Sequence, residues 1–590
     1  MSSWKRTVEC GLADHKFLGK EITLNGWVAR RRDHGGLIFV DLRDRTGLMQ
    51  VVFNPDIAKE AHDIAQNLRS EFVVSITGKV AKRSKETINE KMTTGRWELF
   101  ADKILILNDS KPLPFPLEET SEIDEEHRLR YRYLDLRRFV MQRNIALRST
   151  IIFSMREFFI THGFFEIETP ILTKNSPEGA REFIVPSRLH HGSFYSLPQS
   201  PQLYKQLLMA GGLERYFQVA RCFRDEDLRA DRQPEFTQLD VEMSFVDEGD
   251  IKNVIEKLLG HMFKKIFNID IKLPFPVLSY DQAFSAYGSD KPDLRYGMVI
   301  YDVTPLFENT ELAFLKSVVT TGGKIGGIRV RDKVFTRSEL DGWVTKAQGF
   351  GSKGLLYVRW SEDGTLESPV AKFLPEDFFE QAAKVFKDLK KTETLFFVAG
   401  FYKHAWEVLG RLRCALADDL KLINPNILNF CWIFNFPLFE WDEEAKRYHA
   451  MHHPFTAPQE GWEKLSPDQM KARAYDLVCN GMELGGGSIR IHDKHTQQKV
   501  FDLLGLKPEE TQDKFGFLLE ALEYGFPPHG GIALGLDRLV MILTGSNSIR
   551  EVIAFPKTQR GHDAMMHAPS VVADGYLKEY GIIVAPKQKK

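Results

Sequence analysis

Two stretches of alternating apolar and polar residues frame a dense run of charges in the chain. The stretches FQVARCF and FTQLDVEMSF alternate as half-buried antiparallel strands do, so they predict a long β-hairpin. The loop between them interleaves arginine with carboxylate residues, and charges also lie inside the strands. A solvated surface hairpin is the usual explanation of such a loop. A sheet face with fixed Arg and Glu side chains would instead suit a ligand with phosphate and amine groups.

Short alternating runs between residues 20 and 108 predict a small closed barrel. Five strands and one helical stretch fit into this segment, as in an OB-fold. The arginines at 30–32 lie by the first turn, and Phe39 and Gln50 could share a face with them. Basic residues beside an exposed aromatic ring form a platform for unpaired bases. The alternative, in which Phe39 belongs to the core and the arginines are only solvated, stays open from this segment alone.

The pattern becomes helical after a segment rich in proline and charge, residues 109–135, which predicts a linker. Apolar residues at helical spacing then predict a long helix that ends at Gly163, and FFEIETPIL predicts a strand ending at Pro170. The apolar surface of such a helix is more often core than interface. A later helix begins near Pro201 and places Gln202 and Lys205 on one face.

A change in glycine content and in the mixture of helix and strand signals predicts an inserted domain. The segment 300–425 is rich in glycine and mixes helix and strand signals, as a self-contained α+β domain does. The expected fold is therefore multidomain α+β, with an antiparallel-sheet domain interrupted by an inserted α+β domain. The expected domains are a barrel (1–108), a linker (109–135), the two parts of the sheet domain (136–299 and 426–560), the insertion (300–425) and a C-terminal extension (561–590).

Composition restricts the class of protein. A chain of 590 residues is too long for one hydrophobic core, and 43% hydrophobic with 27% charged residues is ordinary for a soluble globular protein. The net charge of −2 gives no global basic field, although a local patch would suffice for nucleic acid. Five scattered cysteines without a CxxC motif argue against a zinc site or disulfide framework and fit a reducing cytoplasm. Neither an export signal nor a membrane span is expected.

The last third of the chain supplies candidates for anion and metal binding. A glycine-rich strand leads into Asp537 and Arg538, and an arginine in an apolar helix needs an anion, either a ligand or a carboxylate such as Asp537. Asp476 and Glu483, the latter just before three glycines, could hold Mg²⁺ shared with phosphates. Arg490 is a further candidate for a buried cation. Neither a P-loop nor a dinucleotide fingerprint is present, so a nucleotide would bind on an antiparallel sheet through arginines and metal.

Three of these features together resemble the signature motifs of class II aminoacyl-tRNA synthetases. They are Pro170 after its helix and strand, Arg224 within FRDE, and Arg538 within GLDRL. Further segments are similar to bacterial-type aspartyl-tRNA synthetases of subclass IIb, among them GWVARRRDHGGLIFVDLRDR, LPQSPQLYKQLLM, YGSDKPDLR, MHHPFT and LGGGSIRIH. The resemblance touches nearly the whole chain outside 300–425, and bacterial members carry an extra α+β domain at that place.

The resemblance implies an activity and partners. ATP would activate L-aspartate to aspartyl-adenylate with release of pyrophosphate, and the aspartyl group would pass to the 3′ end of a tRNA. Mg²⁺ would assist, and the enzyme would be a cytoplasmic homodimer. Its N-terminal barrel would recognise the anticodon. The helix and strand that end at Pro170 would form the dimer interface, which replaces the core interpretation of that helix.

The resemblance also implies roles for individual residues, with Arg224 on the α-phosphate and Arg538 on the γ-phosphate as the catalytic pair and Phe236 stacked on adenine. The implied ATP-binding set is Arg224, Asp225, Glu226, Gln233, Phe236, Glu483, Gly535, Leu536, Asp537 and Arg538. The implied aspartate-binding set is Glu178, Gln202, Leu203, Tyr204, Lys205, Arg224, His452, His453 and Arg490. Asp476 and Glu483 resemble the Mg²⁺ ligands. The implied anticodon and discrimination set is Arg31, His34, Phe39, Gln50, Glu86 and Glu98.

Two kinds of specificity follow from the resemblance. Lys205 and Arg490 would pair with the side-chain carboxylate of aspartate, and a buried cation pair is poorly satisfied by the neutral amide of asparagine. In this family His at the position of His34 is associated with charging of both tRNA(Asp) and tRNA(Asn), whereas other members carry Leu. Glu86, in a second loop implicated in the same choice, matches neither residue usual in the family. The resemblance therefore implies an aspartate–tRNA ligase that also charges tRNA(Asn).

Three alternatives belong to other classes or specificities. The first is an enzyme strictly specific for tRNA(Asp). The second is a tRNA-independent ligase of the same fold, which would have no need of the barrel. The third is an inactive tRNA-binding relative, against which the presence of Arg224, Glu483 and Arg538 argues.

Overall fold

The computed structural model describes residues 4–118, 122–175, 180–361 and 364–585, and the chain forms two compact units, 1–143 and 144–590. The first unit contains a closed barrel whose strand order is that of an OB-fold, β1-β2-β3-β5-β4, with β3 and β5 parallel. Its elements are β1 (Glu21–His34), β2 (Leu37–Asp44), β3 (Gly47–Phe53), α1 (Lys59–Ala65), β4 (Val73–Lys82) and β5 (Trp97–Asn108). The predicted barrel of five strands and one helix is confirmed.

Alternation along β2 decides between the two interpretations of Phe39. Ile38, Val40 and Leu42 are fully buried and belong to the barrel core. Phe39 lies between the first two of them, is half-buried, and is not part of that core. Because successive side chains of a strand point to opposite faces, Phe39 lies on the outer face of the barrel. The alternative that Phe39 is a core residue is wrong.

The segment expected to be a linker, 109–135, contains two short helices, α2 (Glu125–Arg130) and α3 (Arg132–Asp135). The carboxylate of Asp135 is fully buried and pairs with three arginines close to it in sequence, Arg128, Arg132 and Arg138. The structure divides the chain only between residues 143 and 144, so the finer domain boundaries stay predictions.

The second unit is built on an eight-stranded sheet that two separate parts of the chain form together. The first part contributes α4 (Phe139–Thr161), β6 (Phe165–Glu166), β7 (Ile184–Pro186), β8 (Phe194–Ser196), α5 (Gln202–Ala210), β9 (Arg215–Phe223), β10 (Glu235–Ser244), α6 (Glu248–Phe267), β11 (Val277–Ser279) and α7 (Tyr280–Tyr287). The predicted hairpin is present, since β9 and β10 pair antiparallel.

Residues 301–419 form a second, five-stranded sheet with helices. The elements are β12 (Tyr301–Asp302), α8 (Ala313–Thr320), β13 (Lys324–Val330), α9 (Arg337–Gly349), β14 (Leu356–Trp360), β15 (Leu366–Glu367), α10 (Phe378–Val385), β16 (Thr394–Gly400) and α11 (Tyr402–Asp419). Two apolar cores pack against it, one with α9 and α11 and one with α8 and α10. A sheet covered in this way on both faces is the expected α+β insertion.

The last part of the chain completes the large sheet. Its elements are β17 (Phe430–Phe434), β18 (Phe439–Asp442), β19 (Arg447–Ala450), β20 (Ala474–Cys479), β21 (Met482–Ile489), α12 (Lys494–Leu503), α13 (Pro508–Ala521), β22 (His529–Gly535), α14 (Leu536–Thr544) and α15 (Asp574–Glu579). The strand order is β11-β17-β20-β21-β22-β10-β9-β6, antiparallel in the centre and parallel only at the two edge pairs. One apolar core, with α4, α6 and α14, covers one face of it.

The strand predicted to end at Pro170 is shorter than expected. Within the described part of the chain only Phe165 and Glu166 pair, with β9 alone, at the edge of the sheet. A strand at an edge has one neighbour, and Pro170 has no N–H for a further ladder bond. No helix in the described part of the chain is long and apolar enough to cross a membrane.

Candidate active site

The face of the large sheet opposite α4 and α6 carries a cavity of about 640 Å³. Residues from the β9–β10 hairpin, α5, β20, β21 and the β22–α14 junction line it, so elements far apart in sequence meet there. Of the predicted site residues, the cavity wall includes Gln202, Lys205, Arg224, Glu226, Gln233, Phe236, His452, His453, Asp476, Glu483, Arg490, Gly535, Asp537 and Arg538. The loop residue Glu178 lies outside the described residues.

Arg224 lies at the point where β9 passes into the hairpin loop. Its backbone N–H donates to the carbonyl of Pro234 (2.8 Å), which fixes the neck of the loop. Its guanidinium lies 5.1 Å from the ring centroid of Phe236 on β10, in the geometry of a cation–π contact. Among the described residues no acceptor reaches its buried Nε. The side chain therefore has donor capacity left for an anion in the cavity.

Arg538 lies in the first turn of α14 and faces the same cavity. Its Nη1 donates to the carbonyl of Glu483, and its Nη2 pairs with Asp231 of the hairpin loop at 3.1 Å. Its Nε, like that of Arg224, is buried with no acceptor in the part of the chain that the structure describes. An arginine is thus present at each end of the hairpin loop.

Asp537 is not the partner of Arg538. Its carboxylate accepts from Arg148 of α4 and from the backbone N–H of Thr237 on β10 (2.8 Å). Asp537 therefore ties α14 to the sheet and to α4. Its carboxylate is used in these bonds, so Asp537 has a structural role. The sequence predicts an anion beside Arg538, and the carboxylate of Asp231 in the hairpin loop is one such anion.

The remaining predicted ATP residues mostly shape the hairpin loop. The backbone N–H of Asp225 donates to the carbonyl of Arg181 (3.0 Å), and Glu226 pairs with Arg232 (3.2 Å). Both amide atoms of Gln233 are used by the backbone of Lys557, at 3.0 and 2.7 Å. Neither Asp225 nor the fully buried Leu536 reaches the cavity wall.

A second, deeper part of the cavity is a buried cluster of two cations and two carboxylates. Lys205 of α5 lies 2.9 Å from Asp240 and 3.4 Å from Glu242, both on β10 and both fully buried. Arg490, after β21, binds Glu242 through its Nε (2.9 Å) and Nη2 (3.2 Å). Opposite charges in equal number offset the cost of burial.

Counting donors shows what the cluster can still bind. Arg490 has five N–H groups, and four are used by Glu242, Ser488 (2.6 Å) and His453 (2.6 Å). Lys205 has three, and two face Asp240 and Glu242. Among the described residues each cation therefore keeps one donor, and both side chains line the cavity. Two donors in one cavity suit the two oxygens of a carboxylate.

The surroundings fix the charge states of the cluster. Burial lowers the pKa of His453 well below its usual value, and the charge of Arg490 lowers it further. Burial also lowers the pKa of His529 to about 4, so both imidazoles are neutral near pH 7. Burial raises the pKa of Asp240. Burial would also raise the pKa of Glu242, but the charges of Arg490 and Lys205 outweigh it and the pKa of Glu242 is lowered.

A glycine makes room for this ion pair. Gly531 on β22 is the register partner of Glu242, and a Cβ at Gly531 would lie 2.0 Å from Oε2 of Glu242. The glycine-rich strand that the sequence associates with a ligand therefore serves first to seat a carboxylate of the protein itself.

Asp476 on β20 and Glu483 on β21 meet above Gly486. A Cβ at Gly486 would lie 2.6 Å from Oδ1 of Asp476 and 3.9 Å from Oε1 of Glu483. Burial raises the pKa of Asp476 to about 6, and although His452, 3.5 Å away, lowers it, the nearby charge of Glu483 raises it. Carboxylate oxygens are the donors that Mg²⁺ prefers. No three His, Cys, Asp or Glu side chains in the described ranges could hold a metal together, so phosphate or water would have to complete the shell.

Two predicted aspartate-binding residues do not reach the cavity wall. Leu203 packs against an apolar core that includes Phe455 and Phe515, and the hydroxyl of Tyr204 bonds that of Thr173 (3.0 Å). Both are on α5, on the sides turned away from Gln202 and Lys205. Sequence reasoning gave no role to several residues that line the cavity, namely Gln199, Ser200, Gln238, Asp240, Asp290, Phe436 and Met451. The signal for Asp240 was its charge inside an otherwise apolar strand.

The barrel of the first unit has a polar network on its outer face. Arg32 binds Asp41 (2.8 Å) and Gln50 (3.2 Å), and the amide of Gln50 donates to Glu98 (2.9 Å). Phe39 is the register partner of Arg32. The predicted sharing of one face by Phe39, Gln50 and the arginine run is confirmed for Arg32.

The other three residues of the predicted anticodon and discrimination set lie outside this hydrogen-bonded network. Arg31 points to the opposite side of β1, where its Nε donates to the carbonyl of Ala65 (3.1 Å). His34 is exposed at the end of β1, and Glu86 is exposed in the turn Lys85–Thr87. Hydrogen bonds from its own backbone N–H and from Ser84 lower the pKa of Glu86. Its carboxylate is therefore ionised at neutral pH.

Comparison with known proteins gives consistent matches over the chain. Residues 124–559 match the family described as tRNA synthetases class II (D, K and N), and residues 22–107 match the OB-fold nucleic acid binding domain. The chain is 51% identical to a protein of Dictyoglomus turgidum named Aspartate--tRNA(Asp/Asn) ligase, over 99% of both chains. It is 48% identical to a protein of the same name from Persephonella marina, over 99% of this chain and 98% of the relative.

Solved structures share the fold. Asparaginyl-tRNA synthetase from Pyrococcus horikoshii, complexed with asparaginyl-adenylate, matches with a TM-score of 0.59 at 20% identity, over 93% of this chain and 98% of that one. Aspartyl tRNA synthetase from Entamoeba histolytica matches with a TM-score of 0.57 at 20% identity, over 92% and 89%.

Proposed function

The chain belongs to the class II tRNA synthetases of the D, K and N group, and from this premise we propose that it is an aspartate–tRNA ligase that charges tRNA(Asn) as well as tRNA(Asp). ATP is its second substrate. The choice of amino acid rests on the buried cluster at the floor of the cavity, where Lys205 and Arg490 each keep one N–H donor among the described residues. The names of the relatives support the same amino acid and both tRNAs.

Recognition of aspartate follows from this donor pair. The side-chain carboxylate of aspartate can accept from Lys205 and Arg490 with one oxygen each. The amide of asparagine has a single oxygen, and its NH₂ would face an N–H donor without an acceptor between them. Unpaired buried donors cost free energy, so the site discriminates against asparagine. Gln202, whose buried Nε2 has no acceptor among the described residues, lies one helical turn before Lys205, and we assign it, with Glu178, to the ammonium end of the substrate.

Activation joins the α-carboxylate of aspartate to the α-phosphorus of ATP. A carboxylate oxygen forms the new bond, the bond from the α-phosphorus to the bridging oxygen breaks, and pyrophosphate leaves. Negative charge grows on the α-phosphate oxygens, and the free Nε of Arg224 is placed to stabilise it. Arg538 holds the γ-phosphate at the other end of the loop, and adenine stacks on the ring of Phe236. In the second step a hydroxyl at the tRNA 3′ end attacks the activated carbonyl and AMP leaves.

The donor set at Asp476 and Glu483 fits Mg²⁺, which would neutralise phosphate charge when bound. The chain's own contribution is to hold the two carboxylates together over Gly486 in a partly buried site. Burial, together with the nearby charge of Glu483, raises the pKa of Asp476, and a cation at the site would favour the ionised carboxylate.

The assembly and the tRNA contacts are part of the proposal. The face with Arg32, Phe39, Gln50 and Glu98 would bind anticodon bases by stacking and hydrogen bonding. Helix α4 and strand β6 present exposed apolar side chains, namely Phe153 (62% exposed), Ile160 (56%) and Phe165 (57%). This apolar surface supports a homodimer in which α4 and β6 form the interface. All five cysteines are free thiols, which fits the reducing cytoplasm we assign to the enzyme.

Exchange of radioactive pyrophosphate into ATP tests the activation step. We expect exchange that depends on L-aspartate and Mg²⁺ and that L-asparagine does not support. Exchange with asparagine at a comparable rate, or no exchange with aspartate, would contradict the role of the buried cluster.

Lys205→Met, which removes one of the two donors, should raise the KM for aspartate far more than the KM for ATP.

A further inference from the structure

Helix α1 holds the tip of the β1–β2 hairpin from the side opposite the polar network. The tip turns at Gly35 and Gly36, both with positive φ (62° and 82°), as a two-residue hairpin turn requires. Two glycines leave such a turn with wide conformational freedom. The position of the tip therefore depends on contacts from outside the hairpin.

Two side-chain contacts supply that support. The Nε2 of His62 lies 2.9 Å from the carbonyl of Gly36, and the His62 side chain is only 11% exposed. A carbonyl can only accept, so Nε2 carries the proton and donates it. The second contact is the bond from the Nε of Arg31 to the carbonyl of Ala65. His62 lies in the middle of α1 and Ala65 is its last residue, so α1 contacts both the turn and the strand that leads into it.

Alternation along β1 connects these contacts to the opposite face. Arg31 points to α1, whereas Arg32 and His34, at alternate positions, lie on the face of the polar network. His34 is exposed and directly precedes the turn whose carbonyl His62 holds. A displacement of the turn would therefore move His34 relative to Gln50.

We propose that His62 is a positioning residue for recognition of the third anticodon base. Its hydrogen bond to Gly36 sets the place of His34 over that base, while His62 itself is buried and has no contact with the tRNA. The inference rests on the proposed function, because it takes the face of Arg32 and Gln50 as the anticodon surface. Specificity between tRNA(Asp) and tRNA(Asn) then depends on a residue in α1 as well as on the tip.

The test compares two tRNA(Asp) transcripts that differ only in the third anticodon base, cytosine or uracil. His62→Phe keeps a ring of similar size and removes the donor, whereas His62→Gln keeps an N–H donor of similar reach. We expect His62→Phe to change the ratio of kcat/KM for the two transcripts about three- to fivefold, the effect of one hydrogen bond. His62→Gln should keep the wild-type ratio. Pyrophosphate exchange should be unchanged in both variants.

A folded His62→Phe enzyme with the wild-type ratio would overturn the proposal, as would an equal change in His62→Gln. His62→Met is a second donor-free variant in case the phenylalanine ring does not pack. The wild-type ratio separately tests dual specificity. If the wild-type enzyme does not charge the uracil transcript, dual specificity is refuted. The role of His62 is then tested by the KM for the cytosine transcript. We expect that KM to rise about threefold in His62→Phe but not in His62→Gln, and no rise would refute the role of His62.

Discussion

Single residues at the cavity wall have two kinds of task, and their hydrogen bonds distinguish them. Arg224 and Arg538 keep a buried Nε without an acceptor in the described part of the chain, so they can bind a ligand. Gln233 and Asp537 also line the cavity, but their polar atoms are used by Lys557, Thr237 and Arg148. Residues of the second kind position residues of the first.

Removal of Arg538 tests this distinction. Arg538→Ala should lower kcat/KM for pyrophosphate exchange by about 10²- to 10³-fold, on the order of 3–4 kcal/mol, because one charge-stabilising donor at the phosphates is lost. The matched control is Arg411→Ala, an exposed arginine of α11 outside the cavity. Near-normal exchange by Arg538→Ala would refute its place on the γ-phosphate.

The neutral state of His529 makes stability depend on pH. Burial lowers its folded pKa to about 4 against an ordinary value of 6.5, so the unfolded chain binds the proton more tightly. The contribution of His529 to stability is complete above pH 6.5 and is lost as the pH falls towards 4. The loss is about 3 kcal/mol at most.

Urea unfolding of the wild type and of His529→Asn between pH 4 and 7.5 measures this dependence. Asparagine keeps a donor for the carbonyl of Pro527, which His529 bonds at 2.9 Å, and does not titrate. We expect the urea midpoint of the wild type to fall more steeply with acid than that of the variant. Parallel curves would show that His529 does not titrate in this range.

At the scale of elements, β6 and α4 present a surface without a partner in the described chain. The edge strand pairs only with β9, and Phe165 on it is 57% exposed. A second copy of the chain would cover both the strand edge and the apolar side chains of α4.

Phe165→Glu should therefore convert a dimer into monomers, because a charge would be buried without a partner in the interface. Sedimentation equilibrium measures the change. Phe401→Glu is the matched control, since Phe401 is 77% exposed at the start of α11 and lies outside the proposed interface. Equal dimerisation of wild type and Phe165→Glu would contradict this interface.

At the scale of the whole molecule, local patterns were predictable and distant pairings were not. The β9–β10 hairpin, the barrel and helix α4 follow from periodicity within short windows, which is why the sequence predicts them. The bond from Arg490 to Glu242 joins residues 248 positions apart, and nothing local pairs them. The same holds for Asp231 as the partner of Arg538, and for the strand before Pro170, whose length depends on the absence of a second neighbour.

The resemblance to the synthetase family assigns Lys205, Arg490 and Arg538 to one site, which local sequence patterns alone do not. It did not give the counter-ions. Asp240 and Glu242 decide how many donors remain for a substrate, and the sequence marks them only as charges inside a strand. Likewise, Arg31 is adjacent to Arg32 in sequence, yet strand alternation places it towards α1.

The proposed enzyme attaches aspartate to two tRNAs. Aminoacylation of purified tRNA(Asp) and tRNA(Asn) transcripts with radioactive L-aspartate measures both activities. We predict that both transcripts accept aspartate and that a tRNA of unrelated anticodon does not. Charging of tRNA(Asp) with no aspartyl-tRNA(Asn) above background would contradict dual specificity, and failure to charge either would contradict the proposed function as a whole.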